Sequence, residues 1–221
     1  QVTPQGEQPA ATTVDAPTTV EIVLKPQMSI HPVPTGSSIS ETFDRSPITG
    51  WEFSGGVKVQ QVIGAGALIC YSPGLGEWSG AGQHAGFTLT YRYQHGQGLS
   101  QVSLCASGEA ARRREYRLLI GGGAGVRLVK AVQGREQELA AAAEQLRSRT
   151  WYDVRIQAME GTIDVRIGGR PIVSVHDTEP LPDGAIGFGC LEGSGFAFDS
   201  IVLRPACAGL RSDVVLQPAT P

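Results

Sequence analysis

Between Thr150 and Pro205 the chain reads as strand, turn, strand without a break. Trp151-Tyr152-Asp153-Val154-Arg155-Ile156 alternates in polarity, and so does Ile163-Asp164-Val165-Arg166-Ile167 after a turn at Glu160-Gly161. Gly168-Gly169 supplies a two-residue turn into Pro171–Val175. Leu181-Pro182-Asp183-Gly184 turns the chain into Ala185–Cys190, and Gly193-Ser194-Gly195 leads to a last strand from Phe196 to Leu203. A period of two places alternate side chains on opposite faces of a strand and has no apolar stripe to offer as a helix. Strands of this kind at short intervals, joined by glycine-rich turns, predict an all-β antiparallel domain of two packed sheets.

The upstream chain continues the pattern. Ile39–Asp44, Val57–Gln60, Ala67–Tyr71, Phe87–Tyr93, Gln101–Ala106, Glu115–Ile120 and Val126–Lys130 are strand candidates, and Phe87, Leu89, Tyr91 and Tyr93 share one face. Gly55-Gly56 precedes the Val57–Gln60 strand, and residues 72–86 read as a long glycine-rich loop carrying Trp78 and His84. Residues 135–148, rich in Ala, Glu and Gln, have helical propensity, but propensity yields to tertiary context. A strand near Glu138–Ala142 followed by a loop is expected there.

A chain of 221 residues suits one sandwich with extensions. The expected organisation is an N-terminal arm (1–38), the sandwich (39–205) and a C-terminal tail (206–221). Residues 1–17 hold little to bury and are expected to be disordered alone. Thr18–Leu24 is an apolar strand candidate between two proline-containing linkers, with Val20, Ile22 and Leu24 on one face.

In order, Thr42-Phe43-Asp44 with Trp51, Gly66-Ala67-Leu68, Thr150–Ile156, Gly161–Val165, Asp177 with Pro180-Leu181, Gly184–Phe188 and Phe198–Ile201 resemble the concanavalin A-like lectin/glucanase sandwich, in particular its laminin-G-like and keto-disaccharide-hydrolase-like branches. The resemblance covers about residues 39–205. It implies a jelly roll in which the first and last strands pair, with Trp151 anchoring the core and Asp177 and Asp199 bonding backbone amides at turns.

The net charge of −3 gives no general reason to bind nucleic acid or an anionic surface. Arg112-Arg113-Arg114 is followed at once by Glu115 and reads as a solvated strand edge. No apolar run is long enough to span a bilayer as a helix. The chain opens on Gln1 rather than Met, as a secreted protein whose leader has been removed would. Cys70, Cys105, Cys190 and Cys207 form no metal-type cluster, so no metal is expected, and two disulfides are. The spacing leaves all three pairings open, with Cys70–Cys190 and Cys105–Cys207 the expected set.

Retaining glucanases of the resembled fold carry a Glu-x-Asp-x-x-Glu strand, and the sequence contains none. Glu136 and Glu138 read as a solvated face. His31, His84, His95 and His176 are scattered, and adjacent His176 and Asp177 point to opposite faces of an extended chain. No catalytic residue and no cofactor are assigned. Trp78, with His84 and Tyr71, is the expected sugar-contacting group. The reading placed first is an extracellular, non-catalytic subunit that assembles into a polymer by adding Val20–Leu24 to a neighbour's sheet. A glycan-binding module is the alternative, and a divergent glycoside hydrolase stands behind it.

Overall fold

The structure, a computed structural model, describes residues 38–44, 48–62, 65–79, 86–109 and 112–205. The expected assembly strand (Val20, Ile22, Leu24), the C-terminal tail, His31, His84 and Cys207 lie outside the described residues. Among the described residues there are thirteen strands: β1 (Ile39–Glu41), β2 (Trp51–Val62), β3 (Ala65–Trp78), β4 (Gly86–Gln94), β5 (Gln97–Ser107), β6 (Arg114–Gly121), β7 (Val126–Val132), β8 (Arg135–Ala142), β9 (Trp151–Met159), β10 (Thr162–Ile167), β11 (Arg170–His176), β12 (Ala185–Ser194) and β13 (Phe196–Pro205). All their pairings are antiparallel.

One layer runs β11-β10-β9-β4-β13, and the other runs β12-β5-β6-β7-β8. Strand β3 joins them. Its Leu68–Cys70 segment pairs with β13, and its Gly74–Trp78 segment pairs with β12. Strand β2 follows it round this corner, with a register shift between Gly55 and Val57. Gly55 has a φ of +63°, and a Cβ there would stand 2.2 Å from the Pro73 carbonyl oxygen. Gly55-Gly56, which precedes a strand in the sequence reading, is therefore a bend inside a continuous strand. Likewise, much of the expected 72–86 loop is the second half of β3, because its glycines allow backbone to approach backbone rather than releasing the chain.

The core fills the space between the layers. Phe87, Leu89, Tyr91 and Tyr93 of β4 all point inward. Tyr91 meets Phe188 of the other layer edge-on at 5.2 Å, and Phe188 meets Phe198 at 5.3 Å. The first and last strands pair, Ile39 opposite Leu203. Arg135–Ala142 is a strand and residues 143–147 a loop, as expected. Asp177 and Asp199 accept backbone N–H bonds from Glu179 and Ser200.

Two expectations fail here. Trp151 does not anchor the core: Val154 and Ile156 take the inward parity of β9, leaving Trp151 on the outer face with Asp153 and Arg155. Cys70, Cys105 and Cys190 are buried free thiols rather than half-cystines. Cys70 and Cys190 are hydrogen-bonded neighbours, but the Cys190 thiol also donates to the Ser72 carbonyl at 3.2 Å.

Candidate functional site

The two layers treat their outer faces differently. Strands β4, β9 and β10 alternate buried and accessible residues, whereas β5 is buried on both faces from Ser100 to Ala106. Val102, Leu104, Tyr116, Leu118 and Ile120 take the inward positions of β5 and β6. The opposite parity places Gln101, Ser103, Glu115 and Arg117 on the outer face, and Ser103 is directly across from Arg117. Beside them on β12, Gly187 and Gly189 stand opposite Ser103 and Gln101 and add no side chain to the surface.

Glu115 is only 1% exposed, yet it carries a carboxylate. Its Oε1 accepts from Arg117 Nε at 2.7 Å, and Arg113 Nε lies 3.0 Å from its Oε2. Arg113 also reaches Glu77 at 2.7 Å, and Arg117 reaches Glu136 at 2.5 Å. The result is a chain of alternating charge, Glu77–Arg113–Glu115–Arg117–Glu136, crossing from β3 to β8. Burial alone would lower the Arg113 pKa, but its bonds to Glu77 and Glu115 hold it above the ordinary value. The arginines are about a quarter exposed, so the network has an accessible rim.

Hydrogen bonding in this network is incomplete. Gln101 donates through Nε2 to Ser103 Oγ at 3.0 Å, but its Oε1 is buried without a partner. Glu115 Oε2 has its ion pair but no aligned hydrogen bond, and Arg127 Nε is also unpartnered. A native interior normally satisfies such groups, so three unpartnered atoms in one buried layer depart from the usual accounting, and the accessible part of the network is its arginine rim.

Trp78 and Tyr71, two of the residues expected to contact sugar, are not brought together. Trp78 is 4% exposed and stacks on Trp51 at 5.5 Å between centroids, so its ring face is covered by the core. Tyr71 is exposed on the part of β3 that belongs to the other layer, with its hydroxyl donated to Gln60. His176 lies beside Thr162 while Asp177 turns toward Tyr116 and Lys130. Glu136 and Glu138 are exposed, but Glu136 is tied into the network rather than merely solvated. Arg113 is likewise an internal partner and not a free edge charge. Among the described residues, no group of three His, Cys, Asp or Glu side chains is placed to hold a metal ion, and no helix is long and apolar enough to cross a membrane.

No family model matches the sequence, and no curated protein matches it. Solved structures do. A Bacillus subtilis protein of unknown function with a galectin-like fold superposes with a TM-score of 0.67 at 16% identity, over 78% of this chain and 97% of that one. The fold is a concanavalin A-like jelly roll. A β-glucanase of Bacillus licheniformis matches with a TM-score of 0.57 at 14% identity, over 78% of this chain and 99% of its own. A carbohydrate-binding module of Bacillus subtilis matches at 0.51 and 14% identity, over 72% and 94%. At these identities the likeness establishes the jelly roll, and function rests on the residues of this chain.

Proposed function

We propose that this jelly roll is a non-catalytic glycan-binding module whose site is the outer face of β5, β6 and β7. The observation that carries the reading is the accessible rim of Arg113 and Arg117, both held by the Glu115 carboxylate buried beneath them. A sugar hydroxyl can accept from the accessible edges of Arg113 and Arg117, which Glu115, buried beneath them, holds in place. The names of two structural neighbours, a glucanase and a carbohydrate-binding module, support carbohydrate as the ligand class.

Hydrolysis is the weaker reading. A retaining mechanism needs a protonated carboxyl in an apolar pocket facing a second carboxylate. Glu115 instead lies between two cations. Assembly through Val20–Leu24 and export from the cell rest on the sequence alone, so glycan binding moves ahead of the polymer reading. Calorimetry against neutral oligosaccharides chosen by glycan array tests it. Arg117→Ala is expected to weaken binding about tenfold or more, the worth of one charged hydrogen bond. Absence of binding across the array, or turnover of a bound oligosaccharide, overturns the proposal.

A further inference from the structure

The outer face of the other layer carries a separate, positively charged groove. It is about 800 Å³ in volume and runs over β4, β9 and β10, with Arg92, Arg155 and Arg166 among its lining residues. Arg155 and Arg166 are directly opposite each other in the β9–β10 ladder. Like charges at such a position destabilise a sheet. Nothing within the described residues relieves them: no carboxylate lies within ion-pair distance of either. Arg155 donates only to Gln157 Oε1 at 3.3 Å, and Arg166 only to the Gly169 carbonyl at 3.4 Å. By contrast, Arg113, Arg117 and Arg170 all end on carboxylates. Asp164 shares the sheet face and Asp199 stands directly opposite Arg92 in the β13–β4 ladder, yet neither forms an ion pair with an arginine among the described residues.

Arg92 is held differently. Its guanidinium carbon lies 4.9 Å from the centroid of Trp151, which keeps the planar fork in place with its edges free. In the ladder Arg92 is opposite Asp153, whose carboxylate also lines the groove and pairs with no cation among the described residues. Three guanidiniums and the unpaired Asp153 carboxylate therefore line the groove, with Thr90 and Gln157 alongside.

We infer that this groove is a second binding site, for an acidic glycan. Arginine forks match a carboxylate or sulfate ester bidentately, and the Arg155–Arg166 pair is where that anion sits. Asp153 selects for the rest of the ligand. A polyphosphate backbone has no donors to offer it and is repelled, whereas sugar hydroxyls donate to it. The site is independent of the network on β5–β7 and does not need that proposal to hold.

The test is calorimetry on the full chain with oligogalacturonate, its methyl-esterified form, heparin oligosaccharides and a single-stranded oligonucleotide, at low and high salt. Binding of oligogalacturonate or heparin fragments, weakened by salt and lost on esterification of the galacturonate, is the expected result. Binding of oligogalacturonate, which has no sulfate, shows that a carboxylate is sufficient as the anion bound. Arg155→Gln with Arg166→Gln is expected to weaken it by about a hundredfold, while Arg155→Lys retains part of it and Arg147→Gln leaves it intact. All these side chains are exposed, and circular dichroism confirms that each variant is folded. Equal affinity for the esterified chain or the oligonucleotide, no binding of any acidic glycan, or unchanged affinity in the double variant overturns the inference.

Discussion

Tyr116 donates its hydroxyl hydrogen to Asp177 Oδ2 across 2.6 Å and accepts the Leu181 backbone N–H at 2.9 Å. Lys130 closes the group, 2.8 Å from the same carboxylate oxygen. A core residue of β6 is thereby tied to the segment that leads from β11 to β12. Tyr116→Phe removes both bonds and keeps the ring, so it isolates the polar contribution. We expect a loss of about 1–3 kcal/mol in denaturant unfolding, with an unchanged slope.

The same carboxylate gives the fold an acid limit. Burial raises the Asp177 pKa, but the bonds from Lys130, Tyr116 and the Glu179 amide together hold it below the ordinary value. A depressed folded pKa stabilises the fold above the unfolded value of about 4, and that stability is lost as pH falls through the folded value. Thermal midpoints should therefore fall below about pH 4. Asp177→Asn, less stable at neutral pH, should show a flatter fall over the same window. Parallel curves for the two proteins would show that Asp177 does not set the acid limit.

The thiols should be silent in the native state. Burial, then the neighbouring Cys190, pushes the Cys70 thiol far up, and burial with Asp183 pushes Cys105 up to about 11. Thiolate, the reactive form, is scarce at pH 8 under those conditions. In a Cys207→Ser background, a thiol reagent should label Cys70, Cys105 and Cys190 only on unfolding. Native-state labelling, or a Cys70–Cys190 bridge in a non-reducing peptide map, contradicts this.

Most of the scaffold was legible because period-two alternation is written locally. Phe87, Leu89, Tyr91 and Tyr93 share a parity, and the Gly168-Gly169 turn, with φ of +57° and +78°, follows from its two glycines. The β3 corner was not legible, since Gly74 and Gly76 look the same in a loop as in a strand pressed against another backbone. The site was half legible. Arg113, Glu115 and Arg117 stand two apart, opposite in parity to Tyr116 and Leu118, so their common face could be read. Their burial could not, because Glu77 and Glu136, which complete the charge chain, are remote in sequence and meet them only through the sheet order.

The tryptophans exchange the roles that the sequence suggested. Trp78 stacks on Trp51 with an interplanar angle of 5°, whereas Trp151 is 37% exposed. Trp78→Ala should therefore cost about 3–5 kcal/mol in unfolding free energy, the cost of emptying a large aromatic site. Trp151→Ala should cost well under half of that and should instead reduce the affinity for acidic glycans, because Arg92 loses the surface that positions it. Equal destabilisation by the two substitutions would contradict the burial seen here.

Glu115 separates stability from recognition. Its two arginine partners are about a quarter exposed and can turn to water when the carboxylate is gone, whereas Glu115 itself cannot. Glu115→Gln should therefore destabilise the fold only modestly, while Arg113→Ala with Arg117→Ala strands a buried charge and should cost about 3–5 kcal/mol. Binding should follow a different order. If Glu115 holds the two guanidiniums for sugar hydroxyls, Glu115→Gln lowers neutral-glycan affinity by about tenfold or more although the protein stays folded. A Glu115→Gln protein that binds with wild-type affinity would reduce the charge chain to a structural element of β6.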